Sequence, residues 1–308
     1  MSETSPSRPG SGPARPYLRG TLLAVLAAVS FGLTAPFVAR AGQATGPFAT
    51  GAILYFGAAL VALASRRRSP LAAIRDMPPR TLVPMVLAGA VIAPAAFAWG
   101  LHRTGGTTGS LLLNLEAGFT VLLAMLMLGE KVSRRAASAL VLIACGGVLI
   151  GLDASRDAAS IDVLGVLAVA LATASWALDN VLARRLSSQH PMDVVLAKGL
   201  LGSGASLSIA LALREPWPDL EDAAVLLLCG AFGYGASLRL YLAAQAHIGA
   251  ARTGSVFAVA PFVGAGLAWA LGDRGAGVLT LAAAGLFALG IALHASEGNE
   301  PAQVKNTG

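Results

Sequence analysis

Four ionisable side chains sit well inside long apolar runs of this sequence: Glu116, Asp179, Lys198 and Arg239. Holding such a group at the centre of a hydrocarbon layer costs roughly 2.5 to 3.5 kcal/mol on insertion scales, so each needs a partner or a wet cavity. Asp179 and Lys198 lie about nine or ten residues either side of a turn centred near Ser188-Gln189. Antiparallel helices rising about 1.5 Å per residue bring them to similar depth, where they can pair. The pair is either a lock between two helices or part of a site, and Lys198 also lies near enough to a surface to snorkel. Arg239 has Gly235 one turn before it and Ala243 one turn after, which leaves room for a guanidinium in a cavity. Because Arg stays charged, and Asp179 cannot satisfy Lys198 and Arg239 together, the surplus positive charge points to an anionic group on a ligand. Backbone carbonyls at a broken helix are the other way to hold Arg239.

Glu116 has Asn114 two residues before it and Thr120 one turn after. A carboxyl group there suits a proton relay, recognition of an amine, or an architectural role in which it binds free backbone N–H groups between packed helices. Trp176, Asp179 and Asn180 share one helix face at i, i+3 and i+4, which makes either a cavity wall or ordinary packing. Ser203, Ser206 and Ser208 read as packing residues and His247 as a solvated helix end, while Glu130 and Asp273 stand at loop edges where an acid caps a helix or pairs with a base. The polar residues within the runs assemble no Ser–His–Asp set, metal-spaced cluster or phosphate loop. No cofactor, metal or ATP-binding module is implied, and Cys145 and Cys229 read as small buried hydrophobes.

The elements that must position these groups are set by composition. Of 308 residues 56% are hydrophobic and only 12% charged, with a mean hydropathy of +0.70. Soluble domains carry roughly 25% charge, so the expected solvent is a lipid bilayer. The chain divides into ten membrane-length runs, approximately 20–40, 47–65, 81–101, 105–128, 134–152, 161–185, 193–213, 223–247, 252–272 and 275–295. Residues 1–18 and 297–308 read as disordered tails, and the first run reads as a spanning helix instead of a signal peptide. The net charge of +6 raises nucleic acid as a partner, but no soluble body exists to carry a basic face.

With the N-terminus inside, inner segments hold 15 Lys and Arg residues and outer segments five. That bias places both chain ends in the cytoplasm of a multi-pass protein of the cytoplasmic membrane.

A repeat runs through the chain. Gly20, Ser30-Phe31-Gly32 and Arg40 match Gly165, Ser175-Trp176-Ala177 and Arg185 at an offset of 145, as Thr108-Gly109-Ser110 matches Thr253-Gly254-Ser255. Gly129-Glu130 matches Gly272-Asp273 at an offset of 143. Each half, 19–155 and 160–296, holds five helices, and an odd number makes the second half enter the membrane upside down. The expected fold is therefore an all-α membrane protein of ten transmembrane helices in two inverted five-helix repeats.

Leu115-Glu116-Ala117-Gly118-Phe119-Thr120 through Leu128-Gly129-Glu130-Lys131-Val132-Ser133 resembles the hallmark of the EamA family of the drug/metabolite transporter superfamily. The pattern there is Leu-Glu-Pro, an apolar run, then Gly-Glu, and Ala260-Pro261-Phe262 to Gly272-Asp273 is similar to its second copy. Ala117 replaces the usual Pro and Asp273 the usual Glu. The resemblance, over roughly residues 18 to 296, implies ten helices around a central substrate cavity and secondary transport of metabolites, mostly export. The smaller exporters of that superfamily use an acid in their first helix. None occurs from Gly20 to Ala39, so their mechanism is not carried over.

The function expected is secondary transport or facilitation, by alternating access, of a small zwitterionic or anionic, amino-acid-like metabolite. The substrate-binding or coupling residues would be Glu116, Asp179, Lys198, Arg239, Trp176 and Asn180. The partners are the lipid bilayer, the metabolite and protons as a candidate coupling ion, with no nucleic acid, and the protein is a monomer or a homodimer. The rival readings are an intramembrane enzyme and a non-transporting sensor or scaffold.

Overall fold

A computed structural model describes residues 14–65, 69–129, 133–156, 162–183 and 191–297. Most of the two tails, Arg66-Arg67-Arg68, the Glu130-Lys131-Val132 part of the family motif and the turn around Ser188-Gln189 lie outside the described residues. Within them every regular element is a helix, as the apolar runs demand: in lipid every backbone N–H and C=O must be satisfied inside the segment.

The first half contains α1 (Ala14–Gly32), α2 (Thr34–Ala41), α3 (Pro47–Ala64), the short α4 (Pro70–Arg75) and α5 (Pro79–Val86). A π-helical stretch, Leu87–Ile92, then leads into α6 (Ala93–Leu112), α7 (Leu115–Leu128) and α8 (Arg134–Arg156). The second half contains α9 (Val163–Ala183), α10 (Pro191–Ala212), α11 (Leu220–Cys229), the π-helical stretch Gly230–Ala236, and α12 (Ser237–Ile248). It ends with α13 (Ala250–Phe257), α14 (Ala260–Ala270) and α15 (Val278–Glu297). By length and composition, seven of the described helical spans can cross a membrane, and Leu115–Met127, Ala260–Ala270 and Val278–Leu293 are shorter apolar helices.

The two halves interrupt their helices at matching places. Gly105 (φ 75°, ψ 166°) and Gly249 (φ 81°, ψ 163°) each turn the chain in a region that L side chains avoid. Two residues, Leu113-Asn114 and Ala258-Val259, later break the following helix in each half. The first break forms with Ala117 where the family pattern has proline, so proline is not what makes it. The π-helical stretches also correspond, Leu87–Ile92 with Gly230–Ala236.

Packing joins the halves reciprocally. α8 runs along α15 and α3 along α10, while α6 lies on α9 as α12 lies on α1, and α7 touches α9 as α14 touches α1. Exchanging each helix for its counterpart maps these contacts onto one another.

Among the described residues, five helix starts are capped by carboxylates. Glu215 accepts from Ala49 N in α3 at 2.8 Å, Asp273 from Thr107 N in α6 at 2.8 Å, and Asp153 from Thr280 N in α15 at 3.0 Å. Asp162 accepts from Leu164 N at the start of α9 and Asp219 from Asp222 N at the start of α11, both at 2.8 Å. An acid at these positions satisfies an orphan N–H and meets the positive end of the helix dipole. The first three caps cross from one half to the other, and Asp273 fills the loop-edge capping role its position suggests.

Many large apolar side chains face outward, among them Leu126, Val148, Leu167 and Leu281, as lipid-facing positions require. Cys145 is exposed on this outer surface, which corrects the reading of it as buried, while Cys229 is buried. A thiol on a lipid-facing position still sits among apolar neighbours, so an apolar run alone does not place it inside.

Candidate functional site

The site grows from a defect in one helix. In the π-helical stretch Leu87–Ile92 the backbone bonds skip one residue further than in an α-helix, with Ala93 N–H bonding Ala88 O. The next donor in that register is residue 94, which is a proline without an N–H. The carbonyl of Gly89 is therefore left without a helical partner, and a buried carbonyl must find another. It accepts from the Tyr55 hydroxyl of α3 and from Trp176 Nε1 of α9, the latter at 3.1 Å. Trp176 Nε1 also lies 3.4 Å from the Tyr55 oxygen. Gly89 has no side chain, and a Cβ there would run into the Asp179 carboxylate, so only glycine lets α9 approach this closely.

Asp179 lies one turn beyond Trp176 and is 2% exposed. Lys198 Nζ of α10 donates to its Oδ2. The depth arithmetic across the hairpin thus holds, and Lys198 pairs inward instead of snorkelling outward. Asp179 Oδ1 is buried with no hydrogen-bond partner.

On the other side of α9, Asn180 Nδ2 donates to Glu116 Oε1 of α7 at 2.6 Å. Glu116 is half-buried and Asn180 exposed, although both belong to apolar helices that pack against each other. Asn180 is exposed on the side of α9 away from its outward-facing Leu164, Leu167 and Leu171, and Glu116 is partly exposed beside it, which we read as a chamber inside the bundle. Glu116 bonds a side-chain amide there, not the free backbone N–H groups of the architectural alternative.

Aromatic rings wall this region. Trp176 meets Phe97 edge-on at 5.3 Å and Tyr234 at 6.3 Å, and Tyr234 meets Tyr55 and Phe31, each at 5.7 Å. The row continues from Phe31 to Phe257 at 5.7 Å and from Phe257 to Tyr241 at 5.1 Å. The Tyr234 hydroxyl is buried and unpartnered.

Of the six residues expected from sequence, five come together: Glu116, Asn180, Trp176, Asp179 and Lys198. Arg239 does not join them. It is exposed, and its Nη1 donates to Ser65 Oγ at the end of α3 at 3.0 Å. Asp179 is bonded by Lys198 and Glu116 by Asn180, while Arg239 bonds Ser65. This corrects the surplus of positive charge expected at the centre. A side chain of Arg239's length follows its own rotamer toward a hydroxyl and water at the helix end, at far less cost than burial.

Sequence reasoning missed Tyr55, the Gly89 carbonyl and Tyr234. The available signals were Pro94 within a run, which strips a carbonyl of its partner, and the position of three of the four tyrosines inside apolar runs.

Comparison with known proteins agrees with this architecture. A solved crystal structure of a protein superposes with a TM-score of 0.64, covering 96% of this chain and 99% of that one at 19% identity, which shows a shared fold. An uncharacterized transporter of Methanothermobacter thermautotrophicus is 31% identical over 186 residues, 58% of this chain and 53% of that protein. The chain thus spans about half the length of the curated relative it matches. The EamA-like transporter family matches twice, over residues 18–152 and 163–296. The two matched segments contain both sets of apolar helices and every residue of the central cluster; the chain is a multi-pass membrane protein and belongs to the EamA-like transporter family.

Proposed function

We propose that the protein is a secondary transporter or facilitator that carries a small metabolite outward across the cytoplasmic membrane by alternating access. The observation that carries this reading is the polar cluster where α7 begins against the last turn of α9, with Glu116 and Asn180 accessible beside the buried Asp179–Lys198 pair. A bundle packed only for support would have no use for an accessible acid beside a buried ion pair.

The reciprocal contacts and the matching breaks in the two halves support reading 19–155 and 160–296 as inverted five-helix repeats with ten crossings. Such halves can exchange conformations between inward-open and outward-open forms around one fixed site. In this reading both chain ends lie in the cytoplasm. Glu116 is the candidate carrier of a coupling proton.

The anionic part of the expected substrate rested on Arg239. With Arg239 beside Ser65, and Lys198 already bound to Asp179, no free cation stands among the described residues of the chamber to receive a carboxylate. The test is counterflow in proteoliposomes, with a metabolite identified by comparing extracts of cells with and without the protein. Accumulation of labelled metabolite against unlabelled metabolite supports the proposal, and its absence across the extract's small molecules removes it. Tags at the two ends that report opposite sides of the bilayer would also overturn the inverted-repeat arrangement.

A further inference from the structure

We propose that the chamber binds an organic amine in its cationic form, with Glu116 as counter-ion and the aromatic row as the wall for an apolar body. This deepens the transporter reading and rests on it for the site's purpose, though not for the chemistry of binding.

The charges at the centre decide the sign. The carboxyl and ammonium groups there are Asp179 with Lys198, and Glu116, which bonds Asn180 next to Asp179. Lys198 donates to Asp179, and those two charges cancel. Glu116 is left with the neutral amide of Asn180 as its partner, so when it is ionised the chamber carries one unbalanced negative charge. A carboxylate ligand would meet that charge with nothing to offset it, whereas an ammonium group would neutralise it and make charge-assisted hydrogen bonds.

Two further observations point to a donor-rich ligand. Asp179 Oδ1 and the Tyr234 hydroxyl are buried with no partner, and each has an oxygen able to accept an N–H. The rings of Trp176, Tyr234 and Tyr55 pack together beside this pair, and aromatic rings are a favourable setting for a cation. Charge, orphaned acceptors and wall chemistry therefore favour the same class of ligand.

The experiment measures binding to the full chain in detergent micelles, by calorimetry, of three probes of one shape and different charge: phenethylamine, phenethyl alcohol and hydrocinnamate. The amine should bind most tightly and hydrocinnamate least. Glu116→Gln should weaken the amine by about tenfold or more while leaving the alcohol unchanged, as loss of a charged hydrogen-bond partner does. Glu116→Asp should keep the preference for the amine. Hydrocinnamate binding as tightly as the amine, no binding of the amine, or a Glu116→Gln variant that binds the amine like the parent would each overturn the inference. The probe comparison on the parent protein stands even where a variant does not fold. Proteoliposome flux separates the two readings. Carriage of an anion leaves the transporter standing and removes the amine, while Glu116-dependent amine binding without flux of any metabolite does the reverse.

Discussion

Lys198 and Asp179 face each other across the α9–α10 hairpin, with the lysine donating to one carboxylate oxygen and the other oxygen left unbonded. Removing one partner strands the other's charge. Asp179→Asn should therefore cost about 3 to 5 kcal/mol, more than removing both charges together as Asp179→Asn with Lys198→Met. Thermal unfolding in detergent of the two variants checks the order, and a double variant less stable than Asp179→Asn contradicts it.

The Gly89 carbonyl relies on two donors from other helices. Trp176→Phe keeps the ring against Phe97 and Tyr55→Phe keeps the ring against Tyr234, while each removes one donor. Each should cost about 1 kcal/mol alone, and the pair more than the sum, because only the pair leaves the carbonyl unsatisfied. A double-mutant cycle measured by unfolding shows whether that coupling exists.

Arg239→Gln should leave transport at the parent rate. The side chain is exposed beside Ser65 and plays no part in the central charge balance. A large loss of initial rate in proteoliposomes, at unchanged protein level, would return Arg239 to the site.

Asp273 caps the start of the helix that follows Gly105, across the boundary between halves. Asp273→Ala should lower stability by about 0.5 to 2 kcal/mol. Gly105→Ala should be at least as damaging, since φ is 75° there and the new Cβ would stand 2.7 Å from the Asp273 carboxylate. Melting temperatures of the two variants test both statements.

Asp162 is held below the ordinary carboxylate range, first by the Leu164 N–H it accepts and then by the Arg103 guanidinium. A depressed carboxylate contributes its stability in full above its unfolded value, about 3.9, and loses it as the pH falls through the lower folded value. Hydrogen exchange at the start of α9 should thus show protection that is level from pH 5 to 8 after correction for intrinsic rates. In the parent it should fall only in more acidic solution, and Asp162→Asn should abolish that acid step.

Much of the architecture could be read from residues alone. Low charge and membrane-length apolar runs specify helices in lipid, because lipid leaves the backbone no partner outside its own segment. The duplication was legible as matched residues at an offset of 145, and the family matches fall on the same two segments. The Asp179–Lys198 pair followed from counting back along a hairpin, a local relation that helical rise converts into depth. Asp273 as a cap followed from an acid at a loop edge.

What the sequence could not say is which way each helix faces. In water an apolar stripe marks the inside, but in a bilayer the lipid-facing and core-facing sides are both apolar, so periodicity loses its meaning. Cys145 and Cys229 occupy similar runs, yet one faces out and the other in. Arg239 and Glu116 are both charges within runs, yet one reaches a helix end and the other an interior chamber. Composition and order determined the solvent, the helices and the repeat. Rotation of each helix about its axis, set by close contacts such as Gly89 on Asp179, decided which of those residues meet.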